Sequence, residues 1–168
     1  MNQTLSSLAS FTSAATLPQG QHIGVICASW HRDIVHRARD ALVAELARRG
    51  WPPDCIDHLD VPGAFEIPLQ AQRLARGGRH AAVVAIALVV DGGIYRHDFV
   101  AGSVVDALMR VQLDHDVPVL SVVLTPQAFH EHDEHQRFFA EHFVKKGVEA
   151  AQACLASIAP RNEISAAV

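Results

Sequence analysis

The segment Val90-Asp91-Gly92-Gly93-Ile94-Tyr95-Arg96-His97-Asp98 brings together residue types that handle anions and protons. Glycines let backbone amides approach a ligand closely, and a helix starting just beyond them adds positive potential. Arg96 offers a permanent charge on a planar fork of donors, and His97 can move a proton near neutral pH. The segment reads either as a phosphate cradle or as a tight turn beside a solvated arginine. A second segment, Val61-Pro62-Gly63-Ala64-Phe65-Glu66-Ile67-Pro68, holds one charge between two stiffening prolines. Its carboxylate, next to an aromatic ring, could grip the hydroxyls of a polyol, or could merely complement a helix dipole. Trp30 follows an apolar run directly, where an exposed indole would suit a flat heterocycle and a buried one would pack on its own helix.

Histidine is abundant, at 11 residues, and His130, His132, His135 and His142 lie close together. Their spacing matches no fixed ligand pattern and acidic residues are interspersed, so no metal is expected; phosphate recognition or a subunit contact fits better. The cysteines, Cys27, Cys55 and Cys154, form no Cys-x-x-Cys pair. That argues against a disulfide framework and suits a reducing cytoplasm.

These loops need elements to hold them. Ile23 to Ser29 is short, apolar and β-branched, as a strand buried on both faces should be. Ile34, Val35, Ala38, Leu42, Val43 and Leu46 recur at helical spacing, predicting a helix from Arg32 to Arg49 that stops at Gly50. Cys55 to Val61 reads as a less apolar strand, suited to a sheet edge, and a helix follows through Ile67, Leu69, Ala71 and Leu74. Ala81 to Val90 is a continuous apolar strand; a helix then spans His97 to Leu113, a strand Val117 to Leu124, and a helix Glu134 to Ala159, interrupted near Lys146-Gly147. Phe138, Phe139 and Phe143 form a stripe on that last helix, expected to pack in the core and in part against another subunit. Alternation of strand and helix predicts an α/β fold, a three-layer α/β/α sandwich around a four-stranded parallel sheet of flavodoxin-like order. Ligands then belong at the carboxyl ends of the strands, where all the loops above lie.

With 168 residues, 49% of them hydrophobic and 19% charged, the chain suits one folded domain rather than a disordered segment. The net charge of −4, without a basic block, disfavours nucleic acid. Ala81 to Val90, the longest apolar run, is about half the ~20 residues of a membrane span. Residues 1–21 carry no charged side chain and match neither a secretory nor a transit signal, so they read as a flexible leader; 22–159 form the single domain and 160–168 a flexible tail. Asp60 and Asp91 are too thin an acidic set for a receiver-like signalling domain.

Taken together, the motifs resemble the lumazine synthase family. Val-Pro-Gly-Ala-Phe-Glu-Ile-Pro at 61–68 carries the resemblance most specifically; Ala87 to Val100, Val-Pro-Val and Leu-Thr within 117–125, and Lys146-Gly147-Val148-Glu149-Ala150-Ala151 support it in order. The resemblance implies condensation of 5-amino-6-ribitylaminouracil with 3,4-dihydroxy-2-butanone 4-phosphate to 6,7-dimethyl-8-ribityllumazine, without metal or organic cofactor. It implies Trp30 stacked on the pyrimidine, and Ala64, Phe65 and Glu66 on the ribityl chain. Leu88, Val89 and Val90 would line the pyrimidine edge, and Gly93 and Ile94 the phosphate turn. The Ile-Tyr-Arg-His-Asp-Phe-Val variant is similar to the second, decameric type, two pentamers face to face, with each site between neighbouring subunits.

Three departures from the family pattern stand out. The family's catalytic histidine position falls on Arg96, with His97 one place later; either His97 handles the proton or Arg96 acts through charge alone. Ser121 stands where the family often has Phe. The region from Pro126 to Lys146 is about three residues longer than in common members, so the family's phosphate-binding arginine matches Arg137, or His135 under another gap; arginine's fork favours Arg137. A weakly active relative that binds lumazine or flavin is the alternative these departures leave open.

Overall fold

The computed structural model describes residues 20–94, 96–127 and 133–166, with the backbone alone at 133, 134 and 159–166. The leader up to residue 19 and the histidines at 130 and 132 lie outside the described residues. In chain order the elements are β1 (His22–Ala28), α1 (Arg32–Arg48), β2 (Ile56–Val61), α2 (Ile67–Arg76), β3 (His80–Leu88), α3 (His97–His115), β4 (Val119–Leu124) and α4 (Asp133–Ala166). The strands form one parallel sheet in the order β2-β1-β3-β4, the expected architecture with β2 at an edge.

Both faces of the sheet are covered, which explains the continuous apolar strands. Ile23, Val25 and Cys27 of β1 and Ala82, Val84 and Ile86 of β3 point to one face and pack with α1 and α4. Ile26, Ala28, Val83, Ala85 and Ala87 point to the other and pack with α2 and α3. Burial raises the Cys27 and Cys154 thiols to about 12, so both behave as small apolar side chains. Trp51 is buried and its indole N–H donates to the Cys55 carbonyl at 3.2 Å, tying the turn before β2.

The element ends differ from expectation in instructive ways. The apolar run predicted a strand to Val90, but β3 stops at Leu88. Leu88 pairs with Leu124, the last residue of β4, and β1 has already ended at Ala28. Beyond Val89, whose N–H donates to the Leu124 carbonyl at 2.9 Å, the chain has no neighbouring strand to bond. α4 runs unbroken through Lys146-Gly147, where an interruption was expected. Gly147 lies directly on the Ala38 backbone of α1, so glycine there serves close packing rather than a break. The same helix continues past Pro160 to Ala166, into the segment read as a tail; proline removes one backbone hydrogen bond and here does not end the helix. Of the phenylalanine stripe, Phe143 is in the core, Phe139 is packed against it, and Phe138 is exposed.

Candidate active site

The parallel register levels the carboxyl ends of the strands. Ala28 pairs with Val61, Cys27 with Ile86, and Leu88 with Leu124. All candidate loops therefore leave the same edge. The chain steps from β1 outward to β2 and then back across to β3, so β1 and β3 flank the point where strand order reverses, the usual place for a ligand crevice.

Trp30 is fixed on both sides along the chain. Ser29 before it donates its N–H to the Val61 carbonyl at 2.8 Å. His31 after it takes a left-handed conformation, φ 53 and ψ 40, which turns the chain sharply into α1. The His31 carbonyl then accepts the N–H groups of Ile34 and Val35 at 2.9 and 3.0 Å. The result is an indole left 72% exposed at the mouth of the sheet, not one packed on its own helix.

The 61–68 segment leaves β2 beside it. Ala64–Glu66 make one short 3₁₀ turn, and α2 starts at Ile67 with Pro68 in its first turn, where a missing N–H costs nothing. Glu66 Oε2 accepts the Gly63 N–H at 2.8 Å, which holds the carboxylate back over the turn. A methyl group added at Gly63 would sit 3.2 Å from Glu66 Oε2 and 4.0 Å from Trp30 Cε2. Indole and carboxylate thus meet at this glycine. Ala64 is buried, and Phe65 is 67% exposed.

Across the switch point, Leu88 is buried while Val89 and Val90 are half-buried as they leave the sheet. Gly93 has φ +76, a conformation few side chains tolerate, and its N–H donates to Asp91 Oδ1 at 2.7 Å. Ile94 is 81% exposed. Arg96 precedes α3 and bonds Asp98 through Nη2 at 2.8 Å and Nε at 3.4 Å. Its guanidinium carbon lies 4.2 Å from the centre of the Phe99 ring. His97 is the first residue of α3 and half-buried.

Three predicted residues lie on other elements, β4 and α4. Ser121 is exposed in the middle of β4, its Oγ accepting the Val123 N–H at 3.4 Å. His135 packs edge-on against Phe139 at the start of α4, ring centres 6.3 Å apart. Arg137 lines an open cleft of about 470 Å³ with Asp33, Ile34, Arg37, Gln136, Ala140 and Glu141. That cleft lies between α1 and α4, and none of its lining residues belongs to the 91–97 loop. Sequence reading missed Asp91 and Asp98 as partners of the loop's donors, although each stands two positions from the group it holds.

Comparison with known proteins bears on the whole fold at once. The family model for 6,7-dimethyl-8-ribityllumazine synthase matches residues 20–161. The chain belongs to the lumazine synthase family. It is 63% identical over 140 residues to the 6,7-dimethyl-8-ribityllumazine synthase of Rhodococcus erythropolis, covering 83% of this chain and 90% of that one. It is 58% identical over 134 residues to a relative named 6,7-dimethyl-8-ribityllumazine synthase 2 in Pseudomonas syringae pv. tomato, covering 80% and 79%. A protein of the same name from Bradyrhizobium diazoefficiens is 54% identical over 134 residues, covering 80% of each chain. The residues that resembled a lumazine synthase in the sequence, 61–68 and 87–100, are the ones gathered at the strand ends.

Proposed function

We propose that the protein condenses 5-amino-6-ribitylaminouracil with 3,4-dihydroxy-2-butanone 4-phosphate, yielding 6,7-dimethyl-8-ribityllumazine, phosphate and water in riboflavin biosynthesis. One observation supports the assignment of parts: the Trp30 indole and Glu66 carboxylate meet at Gly63, at the carboxyl ends of the paired strands β1 and β2. In this reading the indole stacks on the pyrimidine. Glu66 has one carboxylate oxygen engaged by Gly63 and the other available to ribityl hydroxyls. Leu88, Val89 and Val90 offer backbone groups to the ring edge, and Gly93, Ile94 and the start of α3 receive the phosphate.

The reaction joins an amine to a ketone as an imine, expels phosphate, and closes a ring. Those steps need orientation and proton movement more than a strong nucleophile. His97, half-buried at the positive end of α3, is the group suited to proton transfer. Arg96 keeps its charge throughout and serves the phosphate electrostatically. Arg137, with His135 near it on α4, and Ser121 on β4 complete the site from a neighbouring subunit.

The face of α3 opposite its core contacts supports an assembly of copies. Ala101, Val104, Leu108 and Val111 are buried, whereas Phe99, Val105, Met109 and Leu113 are exposed. An apolar stripe of that kind is costly in water and fits a second copy, here a decamer of two pentamers. The free cysteines fit the cytoplasm, and among the described residues no helix is long and apolar enough to cross a membrane.

The test is to mix the full chain with both substrates and follow lumazine formation. Turnover is expected, with His97→Ala losing more of the maximal rate than Arg96→Ala, and Arg96→Ala losing more affinity for the phosphorylated ketone. Tight lumazine binding without turnover would replace this reading with that of a binding relative.

A further inference from the structure

The loop read as the phosphate site already holds two anions of its own. The Gly93 N–H is taken by Asp91 Oδ1 at 2.7 Å. The fork of Arg96 is taken by Asp98, at 2.8 and 3.4 Å, while Phe99 supports the guanidinium from its face. Hydrogen bonding to Asp98 raises the Arg96 pKa and hydrogen bonding to Arg96 lowers that of Asp98, as expected for a pair that prefers both charges. All four residues are exposed, so the pairs sit in water, where such bonds are weak and exchange readily. A phosphate entering this loop finds the Gly93 N–H and two of the five Arg96 N–H donors already engaged. To use those donors it must take them over from the carboxylates.

Resting on the reading of this loop as the phosphate subsite, we propose that Asp91 and Asp98 are stand-in anions that compete with the substrate's phosphate and reoccupy Gly93 and Arg96 when inorganic phosphate leaves. The exchange has two consequences. A dianion displaces a carboxylate more effectively than a monoanion does, so the pair screens for phosphate against singly charged ligands. Returning carboxylates also shorten the stay of the phosphate product. Asp91 and Asp98 are positioning residues in this account, since they act through the donors and do not touch substrate.

The probe is inorganic phosphate, titrated calorimetrically into the full chain and used as an inhibitor of turnover. Asp91→Asn and Asp98→Asn each keep an acceptor oxygen while removing the charge. Each variant is expected to bind phosphate about two- to five-fold tighter. The KM for the phosphorylated ketone should fall in step, and that for the pyrimidine should stay unchanged. Asp98→Glu should restore wild-type affinity, and Asp98→Asn should give no gain in an Arg96→Ala background. A role in helix stability alone would instead lower the melting temperature and raise both KM values. Unchanged or weaker phosphate binding in both Asn variants, a gain that persists without Arg96, or no phosphate binding at all would overturn the proposal. Absent turnover by the wild type would sink the proposed function, while the calorimetric titration would still decide the role of the two carboxylates.

Discussion

Gly147→Ala perturbs the contact on which the α1–α4 layer is built. A methyl group at Gly147 would fall on the Ala38 carbonyl oxygen, 2.9 Å from its carbonyl carbon and 3.0 Å from its Cα. The obstacle is backbone, not the movable tip of a side chain, so one helix must shift against the other. Alanine gains about 1 kcal/mol over glycine in helix propensity. Forcing an extra methyl into a packed contact costs about 1–3 kcal/mol, and a backbone oxygen in the way favours the upper end. The net expectation is about 2 kcal/mol of destabilisation, a fall of about 4–8 °C in Tm for a chain of this size. The shift would also strain the Gln152–Glu45 hydrogen bond (3.4 Å) between the same helices. Thermal and urea unfolding by circular dichroism at fixed protomer concentration would measure the effect; the urea midpoint should fall with the slope unchanged. Ala38→Gly should not rescue, since it leaves the obstructing carbonyl in place. An unchanged or raised Tm for Gly147→Ala would refute the reasoning.

Four further outcomes are expected. Glu45 is buried and held down to about 2 by hydrogen bonds from Arg48, then Arg49 and Gln152, against the opposing effect of burial. Its depressed pKa contributes stability that is present above pH 4.5 and is lost as pH falls toward 2. Glu45→Gln should cost about 1–2 kcal/mol at neutral pH, reduced by the exposure of both arginines, and unfolding curves of the two proteins should converge near pH 2. Glu66→Ala removes both the cap on the Gly63 N–H and the charge facing the ribityl chain; kcat/KM should fall by about 10- to 100-fold, with Glu66→Gln intermediate because it keeps an acceptor. Trp30→Ala should weaken lumazine binding by about 1–3 kcal/mol, the range for base–aromatic stacking, while leaving Tm nearly unchanged because the indole is exposed. Met109→Glu places a charge in the exposed α3 stripe and should yield smaller species by sedimentation together with lost activity; an intact assembly would count against α3 as the interface.

Much of this molecule was legible in its residue pattern because the signals are local. Short, continuous apolar runs marked β1, β3 and β4, three- and four-residue spacing marked α1 and α3, and Gly-Gly marked the turn before α3. The types needed for chemistry, an indole, a lone carboxylate and an Arg-His pair, could be named because each is conspicuous in its own loop. What the chain alone could not disclose depends on who lies next to whom across long separations. That β3 ends at Leu88 was decided by where its partners β1 and β4 run out. That Gly147 is a contact and not a break was decided by the Ala38 backbone, far away in sequence. That Trp30 stands in the open beside Gly63 was decided by the left-handed turn at His31 and by the parallel pairing of β1 with β2. The Arg137 cleft likewise follows from α4 lying on α1 and not on α3. Periodicity is a property of neighbours along the chain, whereas vacant space, shared donors and opposed surfaces come into being only once the layers have closed on each other.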